Sequence, residues 1–249
     1  MFGIAIFAHA IRMVLNNLGP ALRISGVLMG VLFVATLALG GGQAAVGGDA
    51  GVPVFDGGAL LLLVLSFLVS IWIGVAWHRY ILRDEVPTGL VPGFDGAAIG
   101  SYFVAGLILV AILLALAIPL GVLVAVLLIP LSAGGDPGLF VALMFGLLLY
   151  LPLAYVSYRI SPILPSAALG PRMALKDAWY ATGTSGAAFV VLTVASVLAS
   201  MLAQAPIWVL GGFLGAIWLF VVQWATILIG ASILTTIYGH YVEGRSLDG

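Results

Sequence analysis

Residues Gly58 to Glu85 read GALLLLVLSFLVSIWIGVAWHRYILRDE. The first 20 of them, Gly58 to Trp77, contain no Asp, Glu, Lys or Arg, and Arg79, Arg83, Asp84 and Glu85 then follow within seven residues. Twenty helical residues rise about 30 Å, the thickness of a bilayer's hydrocarbon core. The stretch reads as a membrane-spanning helix that ends in its own charged boundary. Five more apolar stretches flank it, at 22–39, 102–131, 139–158, 187–203 and 212–237. None carries Asp, Glu, Lys or Arg in its central portion; Arg23 stands at the very start of the first. The alternation expected of barrel strands is missing, which leaves helices as the spanning element.

Composition supports the same class. Of 249 residues, 63% are hydrophobic and 7% charged, with a mean hydropathy of +1.29. So few charges cannot cover the surface of a water-soluble fold, which excludes a soluble enzyme, a nucleic-acid binder and a disordered chain. The absence of cysteine excludes disulfides, iron–sulfur clusters and thiolate zinc sites. The expected fold is all-α: one integral-membrane domain over residues 1–249, with six spans arranged as three hairpins, plus interfacial helices.

The stretch 102–131 is long for a single crossing, 30 residues or about 45 Å. Pro119 inside it lacks the N–H a helix needs and is expected to kink or break it. A split would leave a second piece too short to cross, so one span with a bent or tilted extension is expected.

Charge sets the expected orientation. Loops 1–23, 78–101, 159–186 and 238–249 hold all 8 cations: Arg12, Arg23, Arg79, Arg83, Arg159, Arg172, Lys176 and Arg245. Loops 40–57, 131–138 and 204–211 hold only Asp49, Asp56 and Asp136, read as solvated loop carboxylates. The positive-inside rule then puts both termini in the cytoplasm. Trp77, Tyr80, Tyr158, Trp179, Tyr180, Tyr238 and Tyr241 form an aromatic belt near the same side.

Two short segments between spans are amphipathic. Within residues 1–18, Phe7, Ile11, Val14, Leu15 and Leu18 recur at helical spacing opposite His9, Arg12 and Asn16. The segment reads as an interfacial helix and not a secretory signal. A second helix is expected from Pro171 through Tyr180, with Arg172 and Lys176 one turn apart. The run Gly40–Gly58 reads as a flexible connection.

Two motifs carry a family resemblance: Ala76-Trp-His-Arg-Tyr-Ile-Leu-Arg-Asp-Glu85, and Arg159-Ile-Ser-Pro-Ile-Leu-Pro-Ser-Ala-Ala-Leu-Gly170 followed by Asp177-Ala-Trp179 and Thr182-Gly183. The chain resembles uncharacterised six-helix inner-membrane proteins of alphaproteobacteria. These are similar in turn to the membrane domain fused to some glycerophosphodiester phosphodiesterases. The resemblance implies an inner-membrane location. The catalytic barrel of the phosphodiesterases is absent from this chain, so their activity does not transfer.

Candidate site residues are few. Arg79, Arg83, Arg159, Arg172 and Lys176 form a basic rim suited to lipid phosphates or to carboxylates of a partner. The competing reading is an ion pair from Arg79 or Arg83 to Glu85 or Asp177. Gln223, the one amide near the middle of a span, is expected to make an intramembrane polar contact, to a neighbouring helix or to a substrate. His9, His78 and His240 read as interfacial residues, with haem or metal ligation the competing use. No metal site or cofactor is expected. Intramembrane carboxylates of the kind ion-coupled transporters use are missing. Gly26/Gly30, Gly211/Gly215 and Ala195/Ala199/Ala203 follow small-xxx-small spacing and are expected to bring helices close, within the bundle or in a homo-oligomer. HExxH, Walker and GxSxG motifs are absent. The expectation is a non-enzymatic membrane-organising or accessory protein that contacts anionic lipid or a membrane-protein partner. The alternative is a transporter or exporter of a small or amphipathic molecule, with Pro119 and Pro152 marking bent helices around a cavity.

Overall fold

A computed structural model describes residues 2–39, 45–46, 53–54, 57–132 and 138–247. Helix α1 spans Phe2–Asn16 and α2 Leu18–Ala38. A two-residue antiparallel pair, β1 Ala45–Val46 with β2 Pro53–Val54, lies in the following connection. The other residues of the connection as far as Asp56, Asp49 among them, and also Asp136, lie outside the described residues. Helix α3 spans Gly57–Arg83, α4 Gly96–Ser132, α5 Gly138–Ile160, α6 Ile163–Leu169 and α7 Leu175–Ala181. The chain closes with α8 Gly186–Gln204, α9 Ile207–Leu210 and α10 Gly212–Tyr241. Among the described residues six helices are long and apolar enough to cross a membrane, and each overlaps one of the six expected spans.

Three points of the expectation are refined. First, α4 runs unbroken through Pro119, which keeps the single span expected over 102–131. Proline removes a single N–H from a 37-residue ladder, and in hydrocarbon a broken helix would strand further backbone groups with no water to bind. Second, α7 begins at Leu175 and not at Pro171. Ala174 is extended (φ −71°, ψ 148°), and the N–H of Met173 donates to the Ser166 hydroxyl at 3.1 Å, which ties this stretch to α6. Arg172 therefore precedes the helix and does not share a face with Lys176. Third, α8 and α10 touch each other little, and α1 packs against both.

Helix α3 is the hub, packed against α2, α4, α6 and α10. The seam of α2, α3 and α10 holds Ile24, Met29, Ile73, Trp77 and Leu228. Ile6 and Ala10 of α1 bury against Phe189, Leu192, Ile233 and Ile237. The buried stripe of α1 is thus Gly3, Ile6, Ala10 and Val14, rotated from the face that Phe7, Ile11 and Leu15 suggest. Six consecutive residues of α6, Ile163 to Ala168, are all buried. A segment expected to be a loop is a plug between α3, α4 and α10.

Apolar burial drives helices together only weakly where the solvent is lipid, so interhelical hydrogen bonds and close packing matter more. Trp77 Nε1 donates to Ser232 Oγ at 2.8 Å, joining α3 to α10. Trp224 Nε1 donates to Ser25 Oγ at 2.7 Å, joining α10 to α2. Tyr80 Oη donates to Asn17 Oδ1 at 2.7 Å and fixes the α1–α2 junction against α3.

Candidate functional site at the cationic end

The C-terminal end of α3 organises the charged face. Asp84 takes the left-handed conformation (φ 55°), the usual way an α-helix terminates. The turn brings Glu85 back, and its N–H reaches the Arg79 carbonyl at 3.4 Å. Arg79 Nε then donates to Glu85 Oε2 at 2.7 Å, and Arg79 Nη1 donates to Asp95 Oδ2 at 2.6 Å. Asp95 also accepts from the N–H groups of Ala97 and Ala98 at 3.1 and 3.0 Å, which caps the start of α4. Those amide bonds, led by Ala98, and the Arg79 guanidinium hold the Asp95 carboxyl below the usual carboxylate range. The pair Arg79–Glu85 is the ion pair the charge pattern allowed. Asp95 was not anticipated, although its place just before a glycine-led apolar run is a helix-start signal.

Arg83 lies 3.9 Å from Glu85 and is largely exposed. Arg12, Arg23, Arg172 and Lys176 are exposed, and none makes an ion pair among the described residues. Arg245 is spent internally: it pairs with Glu243 at 2.6 Å and donates to the carbonyls of Ile81 and Leu82 at 3.3 and 3.0 Å. It closes the end of α3 from the C-terminal tail.

Arg159 does not belong to the rim. It is 5% exposed. Its Nη2 donates to the Trp179 carbonyl at 2.6 Å, and its Nη1 to the Gly183 carbonyl at 3.2 Å. The guanidinium carbon sits 4.2 Å from the Trp179 ring centre. The carbonyls of Trp179 in the last turn of α7 and of Gly183 just beyond it stabilise the cation in place of a carboxylate, while Nε is left without a hydrogen-bond partner among the described residues. No lipid or partner reaches Arg159 in this arrangement.

His78 is fully buried, not interfacial. Thr235 Oγ1 donates its proton to the Ala231 carbonyl at 2.8 Å, so it accepts from His78 Nδ1–H at 2.8 Å. His78 Nε2 is left as the acceptor for Tyr102 Oη at 3.3 Å. Both ring nitrogens are used, joining α3, α4 and α10. His9 and His240 hold the C-terminal tail through the carbonyls of Leu247 (3.1 Å) and Arg245 (2.9 Å). Among the described residues no group of three or more His, Asp or Glu side chains is placed to hold a metal ion.

Gln223 faces outward and makes no hydrogen bond to a neighbouring helix among the described residues. The expected polar contact inside the bundle is not formed. Alternate residues of one helix look similar in hydropathy here, so sequence alone could not tell its inward from its outward face. Among the described residues, cavities of about 200 to 400 Å³ lie at the cationic end, and Gln223 lines none of these.

Fold and charge together define an all-α polytopic membrane protein with a cation-bearing face. No family model, curated protein or solved structure matches the chain.

Proposed function

We propose that the protein is a non-enzymatic, membrane-organising or accessory component of a bacterial inner membrane, whose cytoplasmic, cationic end holds anionic lipid headgroups around the bundle. The observation that carries this reading is the set Arg12, Arg23, Arg172 and Lys176, all exposed at one end and free of ion pairs among the described residues. Each such cation near an anionic leaflet contributes about 1 kcal/mol. The resemblance to six-helix inner-membrane proteins supports the location, and the positive-inside rule supports cytoplasmic termini.

The test is lipid selectivity in bilayers of mixed phosphatidylglycerol and phosphatidylcholine, read from the spin-labelled lipid immobilised at the protein surface. The wild type selects the anionic lipid, and selection falls with added salt. Replacing Arg12, Arg23, Arg172 and Lys176 together by Gln removes most of it. Equal selectivity in wild type and variant would overturn the proposal. The transporter alternative needs a passage beside Gln223, whose outward position does not favour it.

A further inference from the structure

The segment between α3 and α4 does not rise away from the bundle into water. Trp72 stands seven residues before Arg79 on α3, about 10 Å further into the membrane. Its Nε1–H reaches the Gly93 carbonyl at 3.4 Å, and its ring meets Phe94 edge-on with centres 5.3 Å apart. The chain leaves α3 at Arg83, folds back along the same helix to the level of Trp72, and only then enters α4.

What this segment exposes is apolar. Residues 86–94 read VPTGLVPGF and contain no ionisable group. Val86, Leu90 and Phe94 are 61%, 75% and 71% exposed. In water that display would be costly, at about 25 cal/mol per Å² of apolar surface. The backbone makes the opposite demand: among the described residues, no N–H of residues 86–94 donates a backbone hydrogen bond. Irregular backbone at membrane depth is tolerated only where it is buried in protein or borders a water-filled space. Room for such water is present. A cavity of about 300 Å³ lies between the segment and α3; Arg79, Glu85, Thr88 and Asp95 wall it together with Val86 and Phe94 at the loop's two ends, whereas Leu90 and Val91 at the loop's tip, the latter 40% exposed, lie outside it.

We infer that Val86–Phe94 is a membrane-inserted loop, with lipid acyl chains covering its apolar outer side while the cavity behind it admits water to its backbone. The outer side takes acyl chains and not a protein because it lies at the depth of a lipid-facing helix turn, and Leu90 and Val91, which form it, offer a partner no hydrogen-bonding side chain, the Thr88 hydroxyl facing the cavity. The arrangement makes a polar vestibule beside Arg79, walled from the bilayer by one short loop.

The natural chain lacks cysteine, so single-cysteine variants accept a nitroxide label without background. Val91→Cys and Leu90→Cys are reconstituted in phosphatidylcholine vesicles, which carry no net charge, so the outcome is independent of the anionic-lipid reading above. Collision with oxygen, which concentrates in hydrocarbon, is compared with collision with a water-soluble nickel chelate. Both labels are expected to favour oxygen as strongly as a label at Leu107→Cys on the exposed face of α4. Labels at Thr88→Cys and Lys176→Cys favour the nickel chelate. A nickel-favouring label at Leu90 or Val91 would place the loop's tip in water and overturn the inference. Shielding of both labels from both reagents would overturn it equally, by showing a protein cover.

Discussion

Arg159 and Trp179 hold each other twice: the guanidinium lies 4.2 Å from the indole ring centre and donates to the same residue's carbonyl at 2.6 Å. Thr182, three residues on, completes the exchange by donating to the Arg159 carbonyl at 2.9 Å. The contact locks the C-terminal end of α5 to the last turn of α7 and makes Arg159 a structural residue. Arg159→Ala strips two carbonyls of a charged donor and is expected to cost about 3 kcal/mol. Arg159→Lys keeps the charge but cannot fork between Trp179 and Gly183, and is expected to recover less than half of that loss. Unfolding by SDS in mixed micelles reads both variants. A lysine variant as stable as wild type would show that Arg159 serves only as a topological charge.

Of the spaced small residues, Gly215 is closely met by the Ile207 side chain of α9, but helix backbones approach at Gly3, where that spacing did not point. A Cβ added at Gly3 would clash with the Ala188 carbonyl oxygen and lie 2.8 Å from the Leu192 nitrogen, both backbone atoms of α8. Gly3→Ala must therefore lift α1 off α8, with an expected loss of about 2 kcal/mol. A Cβ at Gly26 or Gly30 would meet nothing within 4 Å, so alanine there leaves the monomer's stability unchanged or raises it by up to about 1 kcal/mol through helix propensity. Protease protection of the α1–α2 junction measures the first effect and SDS unfolding the second.

The contrast shows what sequence could and could not reveal. Span number and position were readable because hydrocarbon demands a long uncharged helix, and Gly58–Trp77 satisfies that demand by itself. Ionic contacts near Arg79 were half readable: Glu85 is six residues away, whereas Asp95 arrives only because the chain folds back along α3. Side-chain direction was not readable. Inward Ser232 and outward Gln223 sit on the same uniformly apolar helix, so no periodicity separates them, and the same uniformity hid the burial of His78. Arg159 was misplaced for a related reason, since a cation beside a span end reads as rim unless the fold of α7 over it is known.

The Trp77–Ser232 bond joins the hub helix to α10 inside the apolar core at 2.8 Å. Trp77→Phe and Ser232→Ala each remove it, and each also changes packing, so the pair is best read as a cycle. The coupling energy is expected to be about 1 kcal/mol, the usual scale for side-chain hydrogen bonds between membrane helices. SDS unfolding of the wild type, the two single variants and the double variant gives it. A coupling of zero would mean that packing alone carries the α3–α10 contact.

Asp95 makes stability at the cationic end depend on pH. The amides of Ala98 and Ala97 together with Arg79 bind the ionised carboxylate, so its folded-state pKa lies below the ordinary value of 3.8. Its contribution is therefore fully present at neutral pH, where folded and unfolded chains are both ionised there. It is lost as acidification passes first the ordinary value, then the depressed one, because the unfolded state takes up the proton first. The side chain is 43% exposed, so solvent screening keeps the effect small. Asp95→Asn retains an N-cap acceptor for Ala97 and Ala98, lowers thermal stability modestly at pH 7, and matches the wild type once the pH has fallen through the depressed folded-state value. Melting curves of the two proteins across that range test this directly. Curves that stay parallel down to the lowest pH would show that the carboxylate is not preferentially stabilised in the folded protein and that Arg79 leans on Glu85 alone.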